Sequence, residues 1–278
     1  MLETTKRYKA NRACAFDCYD LQQNDMYQFG CEFEFYINVE KYNFLETIEK
    51  IKDEVFNFSN VDILVDISYL PNDLDKNQCI QIKPDQSLQT NGIEISLPIT
   101  SQKGIKYYIK SILPLIEKYG YTNGDTGLHF HISTVKTDGK NLNFYLYMLM
   151  CHDENLLSSW QPRSGYSHNV MDILLNNTKV ESRKIKNDKG KVWNLERLAP
   201  SHIEIKSIGG IDYHKEMNKI LTEFDVYVKC FEMISHKNDT NIEYRKKLIK
   251  EHKELIDSIN PSTKKEFSNA VNSAGLIG

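Results

Sequence analysis

The sequence predicts one α+β domain, with helices covering the apolar back of a sheet and a concave polar front left over. Three observations carry that expectation. Short segments with a period of two alternate along the chain with longer segments at helical spacing. The period-two segments hold aliphatic and aromatic side chains on one face and Glu, His or Lys on the other. No internal repeat or low-complexity linker divides the chain, and 278 residues at 40% hydrophobic content suffice for a sizeable core.

Residues 1–27 are polar and without a clear period, and are read as a leader segment packing on the domain. The domain proper is expected over 28–260, followed by a frayed tail over 261–278. The first strand is 29–39. A helix is expected over 43–58, where Phe44, Ile48, Ile51 and Val55 recur at helical spacing. Residues 61–67 alternate again, with Val61, Ile63, Val65 and Ile67 opposite Asp62 and Asp66. Two strands, 79–83 and 93–97, are joined through Pro84-Asp85-Gln86-Ser87 and Asn91-Gly92, which read as turns. A helix over 101–119 follows, then a turn at 123–127 and a strand around His129 and His131. The stretch 142–160 reads as helix, 161–191 as an irregular and mobile loop or lid, and 202–208 as a strand closed by Gly209-Gly210. Helices are expected over 213–235 and 242–259. His152, His168, His214, His236 and His252 read as surface histidines, and Trp160 and Trp193 as packing beside the irregular stretch.

Several function classes fall away. The net charge is −3, which gives no strong pull towards nucleic acid. No run approaches the length of a membrane span, and the N-terminal residues lack the apolar stretch of a signal peptide. The cysteines at 14, 18, 31, 79, 151 and 230 are scattered, which suits reduced thiols and a cytoplasmic setting. There is no nucleophile elbow, no Walker-type phosphate loop and no GxGxxG.

What remains is the polar front. Glu32 and Glu34 share a face, with Cys31, Phe33 and Phe35 behind them. Glu94 lies between Ile93 and Ile95; His129 and His131 alternate with Leu128, Phe130 and Ile132; His202, Glu204 and Lys206 alternate with Ile203 and Ile205. Strand by strand, this is the ordinary wet side of an antiparallel sheet. Two details argue further. Glu is a poor strand former, yet it takes these mid-strand positions. Neighbouring carboxylates also repel, and a divalent cation relieves the repulsion. Hard oxygens with an occasional imidazole suit Mg²⁺ or Mn²⁺.

The ordered set resembles the amidoligase family of glutamine-synthetase-like carboxylate–amine ligases. It consists of Gly30-Cys31-Glu32-Phe33-Glu34-Phe35, then Asp85-Gln86-Ser87 with Gly92-Ile93-Glu94-Ile95-Ser96-Leu97-Pro98, then Thr126-Gly127-Leu128-His129-Phe130-His131-Ile132, then Ile203-Glu204-Ile205-Lys206. The resemblance implies a curved, mostly antiparallel sheet and an ATP-dependent enzyme with Mg²⁺ or Mn²⁺. It implies that Glu34 and Glu94 hold one metal, and that Glu32, His129 and Glu204 hold another nearer the ATP phosphates. His131, Arg163, Asn194 and Lys206 would contact the nucleotide, with Arg163 and Asp85 assisting the chemistry. Where the family has Arg, this chain has Lys206, a point charge in place of a planar fork.

The implied reaction joins a small-molecule or peptide carboxylate to an amine through an acyl phosphate. A modified nucleotide remains open as a substrate. The base is unassigned, with Glu181 and Asp172 as candidates. Alternatives are a metal-dependent hydrolase built on His-x-His and the Glu cluster, a phosphagen-type kinase, and an inactive binding relative.

Overall fold

The computed structural model describes residues 5–8, 27–59, 61–66, 79–85, 87–134, 147, 160, 193–194 and 202–235. The chain builds a mixed α+β fold around an open, mostly antiparallel sheet. Its strands are β1 (Thr5–Tyr8), β2 (Tyr27–Ile37), β3 (Ile63–Asp66), β4 (Ile80–Pro84), β5 (Gly92–Ser96), β6 (Gly120–Tyr121), β7 (Gly127–Thr134), β8 (Trp193–Asn194) and β9 (His202–Gly209). The helices are α1 (Phe44–Ser59), α2 (Gln102–Tyr119) and α3 (Met217–Ser235). The sheet order is β1-β3-β4-β5-β2-β7-β9-β8, with β6 paired separately to β2. Among the described residues β3 and β4 form the one parallel pair.

β2 lies between β5 and β7, and its alternation sets the fold. Phe29, Cys31, Phe33 and Phe35 are buried on the back, where Phe224 of α3 meets Phe29 at 5.8 Å and Phe130 at 4.7 Å between ring centroids. Ile105, Ile109, Ile112 and Ile116 of α2 join the same core, as do Ile48, Ile51 and Val55 of α1. Each such side chain stabilises the fold by about 1.5–3 kcal/mol on burial. Local signals fix the ends of these elements. Ser101 caps α2 by accepting from the Gly104 N–H at 3.1 Å. Asn91 turns the chain into β5 with φ of 74°, a conformation Asn tolerates better than most residues.

β9 carries a bulge. Leu128 pairs with Ile208 but Phe130 pairs with Ile205, so β9 has one extra residue in that interval. Simple alternation would put Ile208 on the same face as Lys206. The extra residue instead returns Ile208 to the core, and Ser207 bonds the hydroxyl of Tyr227 on α3.

Some expectations need amending. Thr5–Tyr8 forms an edge strand against β3, from a segment without periodicity. The helix expected over 213–235 begins as a 3₁₀ turn at Tyr213–Lys215 before α3. His214 is not a surface residue: it is buried, bonded to Thr122 at 2.9 Å and to Glu117 at 2.8 Å. Trp160, by contrast, packs as expected: it is buried and donates to Glu223 at 2.7 Å. The rest of the helix expected over 142–160, the stretch 161–191, the helix over 242–259 and the tail 261–278 lie outside the described residues. Among the described residues no helix is long and apolar enough to cross a membrane.

Candidate functional site

The strand registers gather the front face into three rows. One holds Lys83, Glu94 and Glu34 across β4, β5 and β2. The next holds Gln81, Ser96, Glu32 and His129 across β4, β5, β2 and β7. The third holds Gly30, His131, Glu204 and Asn194 across β2, β7, β9 and β8. Residues from position 30 to position 204 therefore meet because their strands are neighbours in register, and Glu32, Glu34, Glu94, His129, His131 and Glu204 share one face. This front is not simply a wet surface: Glu34, Glu94 and His129 are buried, at 2%, 4% and 5% exposure. Buried carboxylates demand partners, and each has them.

Glu32, His129 and Glu204 converge from three adjacent strands. One ligand atom from each lies within 4.8 Å of the others. His129 Nδ1 is 3.1 Å from Glu32 and 3.5 Å from Glu204. His131 Nε2 stands 3.3 Å from the other Glu32 oxygen. Burial acts to raise the Glu32 carboxyl, but the His131 and His129 imidazoles outweigh it and hold it well below the ordinary range. Glu204 behaves alike: burial raises it, and His129, His131 and Lys206 bring it below its usual value. Two ionised carboxylates and an imidazole at this spacing are a donor set that fits a hard divalent cation.

Glu34 and Glu94 are held differently. Glu34 Oε2 accepts the Gly127 N–H at 2.8 Å, and its Oε1 is 3.3 Å from His129 Nε2. Its own main-chain carbonyl accepts the Tyr213 hydroxyl at 2.8 Å. Glu94 Oε1 receives both the Ser96 hydroxyl and, at 3.0 Å, the Lys83 ammonium. Burial, reinforced by the Glu32 charge, pushes the Glu94 carboxyl up to about 8 despite Lys83. Glu94 shares a hydrogen bond with Asp85, which follows β4. Burial acts to raise Asp85, and the bonds from Glu94 and Ser87 bring it below its ordinary value. For Lys83 burial acts downward, and Glu94, Glu32 and Asp85 together raise it.

The remaining expected residues divide. Lys206 lies 3.1 Å from Glu204, at the margin of the Glu32–His129–Glu204 group. His131 sits between Glu32 and His202, whose Nε2 is 3.0 Å from His131 Nδ1. Gly30 opposite it leaves the room that His131 uses: a Cβ there would stand 3.3 Å from His131 Cβ. Asn194 is opposite Glu204 in the β8–β9 ladder. Arg163, Asp172 and Glu181 lie outside the described residues. Sequence reasoning passed over Lys83 and Tyr213, and put His202 on the polar face without giving it a role. For Lys83 the signal was present, since Gln81 and Lys83 alternate with Ile80 and Ile82.

No protein-family model matches the chain, and no curated protein does. Among solved structures, a Plasmodium falciparum glutamine synthetase is similar over 74% of this chain and 52% of its own, at 12% identity and a TM-score of 0.38. A structure of apo GmaS without ligand is similar over 90% of this chain and 64% of its own, at 11% identity and a TM-score of 0.35. The chain thus spans between about half and two thirds of those proteins. Likenesses this distant carry no argument about the site.

Proposed function

We propose that the chain is a cytoplasmic ATP-dependent carboxylate–amine ligase, with Mg²⁺ or Mn²⁺ held by Glu32, His129 and Glu204. One observation supports the reading most. The motifs that resemble the amidoligase family lie on neighbouring strands with their acids and imidazoles on one face. A divalent cation there would supply charge neutralisation for the triphosphate.

In the reaction a carboxylate oxygen of the substrate bonds to the γ-phosphorus of ATP and the bond to ADP breaks. The amine then bonds to the activated carbonyl carbon, phosphate leaves, and the amine proton passes to a base. The protein supplies position and charge and no nucleophile. Lys206 and His131, beside the cation ligands, face the phosphates. Asn194 and Arg163 complete the nucleotide contacts, and Asp85 steadies Glu94. The resemblance adds a second cation on Glu34 and Glu94, whose oxygens already have protein partners. The partners are a small-molecule or peptide carboxylate and an amine.

The test is an ATP-consumption screen over pairs of carboxylates and amines, with mass detection of the amide. ATP use that requires both partners and yields an amide is the expected result. Turnover without ATP would make the protein a hydrolase. A phosphorylated product without amide would make it a kinase. ATP and metal bound with no product for any pair would make it a binding relative.

A further inference from the structure

The two carboxylate groups on the front face are not equivalent as cation sites. Glu32, His129 and Glu204 point at one another from three strands, with ligand atoms within 4.8 Å. Glu34 and Glu94 are neighbours in register, but both Glu34 oxygens and Glu94 Oε1 face protein partners. One Glu34 oxygen is tied to the backbone of Gly127 and the other faces His129. Glu94 Oε1 is shared between the Ser96 hydroxyl and the Lys83 ammonium.

Lys83 is the next residue in the same row, directly opposite Glu94 on β4. Its ammonium lies 3.0 Å from Glu94, and the charges of Glu32 and Asp85 also act on it. A cation is thus already built in against Glu94, one of the two carboxylates a second metal would need. It is supplied by a side chain rooted on β4 directly opposite Glu94. A divalent ion between Glu34 and Glu94 would have to displace this ammonium or bind against its repulsion. It would also have to take Glu34 away from a main-chain donor.

We propose that Lys83 replaces the second metal of this site, so that the chain binds one divalent cation and uses the lysine as the charge that balances Glu94. The inference rests on the reading of Glu32, His129 and Glu204 as a cation site. Its chemical consequence is a smaller and permanent charge at that end of the face. A fixed ammonium donates hydrogen bonds and cannot carry a labile water into the reaction.

The experiment counts Mn²⁺ bound per chain, by electron paramagnetic resonance titration of free ion with Mn²⁺ alone at constant pH. Wild-type protein and the variants Lys83→Gln, Lys83→Arg and Glu32→Gln are compared. One ion in wild type and in Lys83→Arg is expected. A second ion should appear in Lys83→Gln, bound at least ~10-fold more tightly than any second ion in wild type. Glu32→Gln should lose the ion that wild type binds. Two ions of comparable affinity in wild type would overturn the proposal and leave the cation site standing. A folded Lys83→Gln that still binds one ion would do the same. If Lys83→Gln does not fold, the wild-type count decides. No ion bound to wild type would overturn the cation site and the proposal together.

Discussion

Replacing Tyr213 by Phe tests how the site strand is held. β7 leaves β2 after the Phe33–Leu128 pair, and β6 joins it at Tyr36–Tyr121. Between them, among the described residues, the main chain of β2 has no strand partner on that side at Glu34. The Tyr213 hydroxyl takes the missing place, donating to the Glu34 carbonyl at 2.8 Å from a residue only 1% exposed. Phe keeps the ring and removes the donor. A net hydrogen bond is worth about 1 kcal/mol, and a buried group left unsatisfied costs about 1–3 kcal/mol, so a loss of about 2 kcal/mol is expected. For a domain of this size each kcal/mol moves Tm by about 2–4 °C, so Tyr213→Phe should melt roughly 4–8 °C lower. Thermal and urea unfolding followed by near-ultraviolet circular dichroism would measure it. An unchanged Tm and urea midpoint would refute the reasoning, because the Glu34 carbonyl would then not depend on Tyr213.

Three further outcomes are expected. Burial lowers the pKa of His214 against the pull of Glu117, so the unfolded chain binds its proton at a higher pH than the folded one. The stability due to this group is complete above about 6.5 and falls away as pH drops through the lower folded value. His214→Gln should therefore flatten the decline of the urea midpoint between about pH 7 and pH 5, and parallel declines would count against the assignment. Gly120→Ala would place a Cβ 2.3 Å from the Tyr36 carbonyl oxygen and should destabilise the protein by about 1–3 kcal/mol, readable as a lower urea midpoint. Lys206→Arg should keep ATP-dependent turnover with the true substrates, while Lys206→Ala should lose ~10-fold or more. Equal rates for wild type and Lys206→Ala would remove Lys206 from the site.

The faces of the strands were legible because the side-chain period is short and the contrast is strong. Cys31, Phe33 and Phe35 against Glu32 and Glu34 admit one reading of which side meets the helices, although Glu34 is itself buried. The central strands fall within about two residues of where the alternation puts them. Register was not legible, since it depends on how separate strands meet. Lys83 shows the consequence: a Lys on a strand is unremarkable until β4 and β5 pair and bring it to Glu94. His214 was misjudged for a related reason, as its partners Glu117 and Thr122 come from α2 and the turn after β6. Thr5-Lys6-Arg7-Tyr8 has no apolar alternation, so its place beside β3 follows from an open edge and not from its own pattern.

The bulge in β9 also acts as a register lock. In an unbroken strand a one-residue slip exchanges the two faces wholesale, and such slips are the characteristic error of sheet assembly. β9 has its phase reset part-way, so Ile203 and Ile205 reach the core in one phase and Ile208 in the other. Slipping the strand in either direction would bury Glu204 or Lys206 and strand an isoleucine among the carboxylates. The last strand to join the site in sequence therefore carries its own check on alignment, placing Glu204 opposite His131 in the one pairing that satisfies both halves of the strand.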